Sequence, residues 1–216
     1  GYTGRGSEAG QMTDIAVFVS GGGSNMQALL DTIEDGKIKG RVRLVLSSTD
    51  KAYALQRAHA AGIRTLVLPK EPKERERVTL EELRENGISL CVLAGYLGII
   101  SPEVVREYEN RIINIHPSLI PSFCGKGYYG HFVHEAVLEY GVKVSGCTTH
   151  FVAEGIDTGP IIMQRAVYVK QEDTPQTLAD RILEQEHIIL PESVRLFCEG
   201  AIEVNGRKVI IKERKE

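Results

Sequence analysis

The sequence predicts an α/β protein: an open, mostly parallel, doubly wound sheet with helices on both faces and an antiparallel addition towards the C-terminus. Three observations lead there. Short unbroken apolar runs alternate with helical patterns from residue 15 to residue 115, as expected of strands buried on both faces. Glycine or proline punctuates most of these segments. After Pro117 the alternation stops, and two longer strand-like stretches follow one another across a short Gly-containing turn.

The elements follow in order. Ile15 to Val19 is a buried strand leading into Ser20-Gly21-Gly22-Gly23-Ser24-Asn25. Met26, Leu29, Leu30 and Ile33 then repeat at helical spacing, and Ser24 or Asn25 is expected as the N-cap. Val42 to Leu46 is a second strand, Ala52 to Ala61 a helix stopped by Gly62, and Thr65 to Leu68 a third strand. Glu74 to Asn86 is a charged helix closed by Gly87. Leu90 to Ala94 and Ile112 to Ile115 are the fourth and fifth strands. A Pro-, Gly- and aromatic-rich loop covers 117–130, and Phe132, Val133, Ala136, Val137 and Tyr140 mark one helical face. Val144 to Val152 and Ile161 to Val169 form the antiparallel pair. Thr174 to Gly200 is helical, with Pro191 expected to break or restart it. Asn205-Gly206 between Ile202–Val204 and Val209–Ile211 predicts a type I′ hairpin.

Composition narrows the function. With 42% hydrophobic and 25% charged residues, the 216-residue chain builds a real core, which excludes disorder as its main state. No apolar run approaches the roughly 18 to 20 residues of a membrane span. The 26 basic and 29 acidic residues leave a net charge of -3, which argues against nucleic-acid binding through bulk charge but leaves a small anionic ligand open. Cys91, Cys124, Cys147 and Cys198 are far apart, so neither zinc nor any other metal is expected, and Cys91 reads as a buried thiol in a reducing cytoplasm. Residues 1–11 are polar and Gly-rich, precede Met12, and read as a cloning remnant rather than a signal peptide. Residues 12–216 are expected to form a single domain.

Chemistry concentrates at a few places. The Gly21–Gly23 run at a helix start lets backbone approach a ligand, and free N–H groups there suit a phosphate. The pattern fits neither a dinucleotide fingerprint, since Met26 stands at the last glycine position, nor a Walker loop. In Ile113-Asn114-Ile115-His116-Pro117, Asn114 and His116 share one face at a strand's carboxyl end, where an amide and an imidazole can stabilise an oxyanion or move a proton. Glu154-Gly155-Ile156-Asp157-Thr158-Gly159-Pro160 offers Asp157 as a partner for a histidine, although Asp also favours turns for its own sake. His150 leads towards that turn. His131 and His134 read as residues at a helix end, His59 as a solvated helix residue, and Glu186, on its own, as a surface carboxylate.

Taken together, SGGGSN after the first strand, INIHPSLIP, His150-Phe151-Val152 and EGIDTGPII resemble the phosphoribosylglycinamide formyltransferases, from Asp14 to about Gly206. The resemblance implies a formyltransferase fold with a nucleotide-phosphate half at 12–113 and a folate-binding and catalytic half at 114–216. It implies 10-formyltetrahydrofolate as co-substrate and glycinamide ribonucleotide as acceptor, without metal, nucleic acid or membrane, in a monomer or homodimer. Asn114, His116 and Asp157 match the family's catalytic residues. Gly22, Gly23, Ser24 and Asn25 match its phosphate loop, and Glu186 its nucleotide contact. Tyr96, Leu97, Gly98, Ile99 and Ile100, with Ala153, Glu154, Gly155, Ile156 and Asp157, match segments lining the folate pocket. Two departures stand out: Gly98 replaces a frequent arginine, and Lys70 to Glu82 is shorter and more charged than in the family and lacks its usual aromatic. The implied chemistry has protonated His116 and the Asn114 amide stabilise a tetrahedral oxyanion, with Asp157 holding His116 charged. A formyltransferase for a sugar nucleotide or methionyl-tRNA, a formyltetrahydrofolate hydrolase, and a non-catalytic mononucleotide-binding module are the rival readings.

Overall fold

A computed structural model describes residues 11–212; the expected cloning remnant lies almost wholly outside them. The chain runs β1 (Thr13–Val19), α1 (Ser24–Glu34), β2 (Gly40–Ser47), α2 (Ala54–Ala60), β3 (Arg64–Val67), α3 (Pro72–Glu85), β4 (Leu90–Leu93), α4 (Pro102–Glu107), β5 (Ile112–His116), α5 (His131–Tyr140), β6 (Val144–Phe151), β7 (Ile161–Tyr168), α6 (Pro175–Cys198), β8 (Ile202–Asn205) and β9 (Lys208–Ile211). These strands form one sheet in the order β3-β2-β1-β4-β5-β6-β7-β9-β8. Strands β1 to β5 pair in parallel, and β6 and β7 are antiparallel to their predecessors. The predicted doubly wound sheet with an antiparallel addition is the architecture found.

Alternation along β1 splits the core. Ile15, Val17 and Val19 face one side with Met26, Leu29, Leu178, Ile182 and Ile189. Ala16 and Phe18 face the other with Leu44, Leu83, Cys91 and Val104. Each large side chain fully withdrawn from water contributes about 1.5 to 3 kcal/mol, which is what binds the helices to the two faces.

Four local expectations are corrected. Neither Ser24 nor Asn25 caps α1: Gly23 does, at φ 80° and without a side-chain bond, which leaves both side chains to reach across to α6. Pro191 neither breaks nor restarts α6, which runs unbroken for 24 residues. Proline removes one backbone bond there, but Pro191 and its neighbours Ile189, Leu190 and Val194 are buried, and that packing keeps the helix continuous. The hairpin turn lies one residue later than predicted. Asn205 pairs with Lys208, and Gly206 alone of the two loop residues has positive φ, the type II′ sign pattern rather than I′. The short helix α4, capped by the Ser101 hydroxyl, was not anticipated.

The order β2-β1-β4 reverses direction of travel between β1 and β4. Open α/β sheets bind ligands outside the carboxyl ends of strands at such a switch point. The loop after β1 is the glycine run, and the loop after β4 holds residues 95–100.

Candidate active site

Above that switch point lies a cavity of about 1050 Å³. Asn114, His116, Asp157, Asn25 and Glu186 all line it, as do residues 96–100 and 153–157. The structure therefore brings the two polar segments and the apolar segments predicted from sequence to one place. Of the loop, Ser20, Gly21 and Asn25 reach its wall; Gly22, Gly23 and Ser24 sit just behind.

The catalytic candidates are set by β5 and β6. Asn114 and His150 are directly opposed across these strands, and the Asn114 amide donates to His150 Nε2 at 3.1 Å. His150 Nδ1 in turn donates to the Phe151 carbonyl at 3.0 Å, leaving Nε2 to accept. Beside it, His116 Nε2 donates to the Phe123 carbonyl at 2.9 Å, which turns Nδ1 towards Asp157 Oδ2 at 3.6 Å. Phe123 is held for this by its own left-handed backbone (φ 50°) and by Ser118, whose hydroxyl donates to Ser122 O at 2.6 Å and Phe123 O at 3.2 Å. Asp157 comes from the turn after β6, in a left-handed conformation (φ 56°). Its Oδ2 accepts from Gly125 N at 3.1 Å, and its Oδ1 lies 3.6 Å from His150 Nε2. One carboxylate thus faces two imidazoles.

Burial is the main influence on both titrating partners. It pushes His116 below the usual imidazole range; the Phe123 carbonyl and Asp157 oppose this only in part, and His150 adds to it. Asp157 does favour the charged form of His116, as expected, but in the ligand-free protein desolvation outweighs it. Burial alone would raise Asp157, but its two imidazole neighbours and the Gly125 N–H together hold it below the usual carboxylate range.

The glycine run meets α2 and α6. Arg57 donates its Nε to the Gly22 carbonyl at 2.8 Å, and His187 Nε2 lies 3.1 Å from Ser24 Oγ. Asn25 donates to Glu186 Oε1 at 3.2 Å, while its own Oδ1 has no partner. Glu186 is no surface carboxylate: it is 7% exposed, and burial pushes it up to about 7, the Asn25 bond opposing. A protonated Glu186 would donate to Asn25 Oδ1 once that amide rotated, which would satisfy both groups.

On the far side, Leu97, Ile99 and Ile156 are exposed at the cavity mouth, an apolar slot suited to an aromatic ligand. Leu97 N donates to Ser20 Oγ at 2.8 Å, which ties this slot to the end of β1. Tyr96 folds over Gly98 and packs edge-on against Phe18. A Cβ at residue 98 would lie 2.3 Å from the Tyr96 ring, so glycine is what lets the ring sit there.

Several residues escaped the sequence reading. Arg57 and His187 touch the glycine run from distant elements, and no local pattern points to them. Ser118 and Phe123 position His116 through a hydroxyl and a backbone carbonyl. His134 stands in the first turn of α5, the helix-end position expected, but it is also 4% exposed, lines the cavity and is pushed by burial down to about 4. Among the described residues no three His, Cys, Asp or Glu side chains cluster to hold a metal ion.

The formyl transferase family profile matches residues 13–194. The chloroplastic phosphoribosylglycinamide formyltransferase of Arabidopsis thaliana is 44% identical over 193 residues, 87% of this chain and 66% of that protein. The chain thus spans slightly less than two thirds of the plant relative, and only 19% of the trifunctional purine biosynthetic protein adenosine-3 of Bos taurus. Phosphoribosylglycinamide formyltransferase of Escherichia coli is 37% identical, with 89% of this chain and 90% of that one covered. The crystal structure of glycinamide ribonucleotide transformylase 1 from Symbiobacterium toebii superposes with a TM-score of 0.88 at 43% identity, covering 94% of this chain and 96% of that one. A formyltetrahydrofolate deformylase from Pseudomonas syringae shares the fold at 24% identity. The chain belongs to the formyl transferase family and groups there with the phosphoribosylglycinamide formyltransferases.

Proposed function

We propose that the chain transfers the formyl group of 10-formyltetrahydrofolate to the amine of glycinamide ribonucleotide. One observation carries the reading: Asn114, His116 and Asp157 converge between a glycine-run helix start on one side and the apolar slot at residues 96–100 on the other. A phosphate on the glycine run and a folate in the slot would place their reactive groups over these three residues.

The residues then have the following roles. The acceptor amine attacks the formyl carbon, forming a C–N bond and a negative oxygen. Asn114 gives one amide hydrogen to His150 and has a second to offer that oxygen. His116, taking a proton from solvent onto Nδ1 as negative charge develops and returning it when that charge collapses, stabilises it too; each well-placed donor is worth about 3 kcal/mol. Asp157 attracts that proton and accepts the amine's proton for delivery to N10. The C–N10 bond then breaks, releasing tetrahydrofolate and the formylated nucleotide. Glu186, with Asn25, faces the nucleotide's polar sugar.

The test is turnover with both substrates, following tetrahydrofolate and formylated nucleotide together. Their one-to-one appearance is expected. Release of formate from the folate without nucleotide formylation would replace this reading with hydrolysis. The cysteines, joined by no disulfide, suit a reducing compartment such as the cytoplasm.

A further inference from the structure

Three strands carry one row of side chains beneath the loop that follows β5. His116 of β5 pairs with Thr148 of β6, and Thr148 with Gln164 of β7. Residues directly opposite on neighbouring strands project from the same face of a sheet, so the row runs from the imidazole outwards to the amide. Thr148 is fully buried, and its hydroxyl uses its one hydrogen and both lone pairs. It donates to the Ser118 carbonyl at 2.7 Å and accepts from Ile120 N at 3.2 Å and Gln164 Nε2 at 3.0 Å. Gln164 Nε2 also donates to the Ile120 carbonyl at 3.0 Å. Two residues earlier on the same face of β6, Gly146 makes room for the same loop: a Cβ there would come 2.7 Å from Leu119 Cδ2.

The backbone held this way touches both titrating groups of the site. Past Ile120 the loop brings the Phe123 carbonyl to 2.9 Å from His116 Nε2 and the Gly125 N–H to 3.1 Å from Asp157 Oδ2. A carbonyl only accepts, so Nε2 carries hydrogen, and Nδ1 is left as the nitrogen that gains and loses a proton. We infer that Thr148 and Gln164 are positioning residues: they fix the loop whose Phe123 carbonyl selects the His116 tautomer and whose Gly125 N–H orients Asp157. The kinetic side of this inference rests on the formyl-transfer reading; the tautomer of His116 does not. Local sequence hides the arrangement, because both residues read as ordinary strand positions and act on Ile120, 28 and 44 residues away.

The surroundings of His116 make the carbonyl matter. Asp157 faces it from the turn after β6, His150 from β6 and His134 from α5, while Asn114 on its own strand is neutral. Burial draws His116 below its ordinary range. The Phe123 carbonyl is the stronger of the two groups that oppose burial, ahead of Asp157, and His150 acts with burial. A loop that drifts therefore lowers the affinity of His116 for a proton even with Asp157 present.

Nitrogen-detected NMR of the ligand-free full chain with labelled histidine, together with steady-state kinetics, tests this. Wild-type His116 is expected as the Nε2–H tautomer. Thr148→Val keeps the branched shape but leaves the Ser118 carbonyl and the Ile120 N–H without their partner. His116 should then show mixed tautomers and titrate lower than in wild type. The fall of activity with rising pH should move to lower pH, while the nucleotide KM holds. A misplacement of the imidazole approaching 1 Å should lower kcat about 10- to 100-fold. Thr148→Ser returns the hydroxyl and should restore the tautomer, the titration and most of kcat. Gln164→Met removes only the outer contacts and should act in the same direction by about three- to tenfold, the share of one hydrogen bond, which keeps the test open if the valine variant does not fold. A wild-type tautomer and titration in the folded variant, an unchanged kcat there, or a kcat that stays low in Thr148→Ser overturns the inference and leaves the formyl-transfer reading standing. Absence of turnover in wild type would instead sink that reading, while the imidazole spectra would still decide what the loop does.

Discussion

Gly22 and Gly23 are neighbours in sequence but make opposite demands, and alanine at each separates folding from binding. Gly23 has φ 80°, and a Cβ there would lie 2.6 Å from Ala54 Cβ, 2.9 Å from Ala54 Cα and 3.3 Å from Arg57 Cδ. Left-handed backbone costs alanine about 1 to 2 kcal/mol. The collision is with helix backbone, which yields only if α2 moves away from α1, at a further cost of about 1 to 3 kcal/mol. For a chain of this size a loss of about 2 to 5 kcal/mol lowers Tm by about 5 to 15 °C. Gly22 has nothing within 4 Å and no positive φ, so its alanine should leave Tm within about 2 °C. The open space beside Gly22 is where a phosphate would approach the backbone. Gly22→Ala should therefore raise the nucleotide KM several-fold at unchanged Tm, whereas Gly23→Ala should lower Tm and raise that KM together. Folate KM should hold in both. Scanning calorimetry and steady-state kinetics decide it. An unaltered Tm in Gly23→Ala refutes the steric reasoning, and an unaltered nucleotide KM in both removes the loop from phosphate recognition.

Three further outcomes follow. His116→Ala and Asn114→Ala should each lower kcat about 100-fold with little change in KM, because both act on charge that exists only in the transition state; near-normal kcat would remove them from the chemistry. Asp157→Asn removes an influence that raises the already depressed His116, so the imidazole should titrate lower still, and the fall of activity with rising pH should shift to lower pH. An NMR titration showing an unmoved His116 would make Asp157 a turn residue only. Glu186 rises from 4.5 to about 7 on folding. The folded protein therefore holds its proton more tightly than the unfolded chain. Its contribution is full below pH 4.5, is lost as pH rises towards 7, and amounts to about 3 kcal/mol at most. Glu186→Gln should flatten that slope in urea melts between pH 5 and pH 8, and an equal slope in both proteins would show Glu186 ionised throughout.

Much of the scaffold was legible because its signals are local. Alternating apolar runs mark strands, Gly62 and Gly87 follow helices, and the Asn114-His116 spacing already puts two polar groups on one face. What failed was decided by contacts across long sequence distances. Ser24 and Asn25 look like caps, yet α6 claims both side chains. Glu186 reads as a solvated carboxylate until α6 is laid on α1. Pro191 looks like a breaker because its lost bond is visible in sequence and its burial is not. Family resemblance pointed to Glu186 and Asp157, which both line the cavity, but not to Arg57, His187, Ser118 or the carbonyl of Phe123. The pull of the Asp157 carboxylate on His116 is readable in sequence, and the desolvation that opposes it is not.

The strand order has a consequence for which acceptors can react. The glycine run hangs from β1 and Asn114 and His116 from β5, with β4 alone between them. Neighbouring strands lie about 4.8 Å apart, so anchor and reacting centre are separated laterally by about 10 Å of hydrogen-bonded sheet. That spacing works as a ruler built from backbone, which no side-chain rotamer can stretch. An acceptor whose phosphate and amine are spaced too short or too long can still seat its phosphate, but its nitrogen will miss the formyl carbon. Length discrimination by this fold should consequently appear in kcat rather than in affinity.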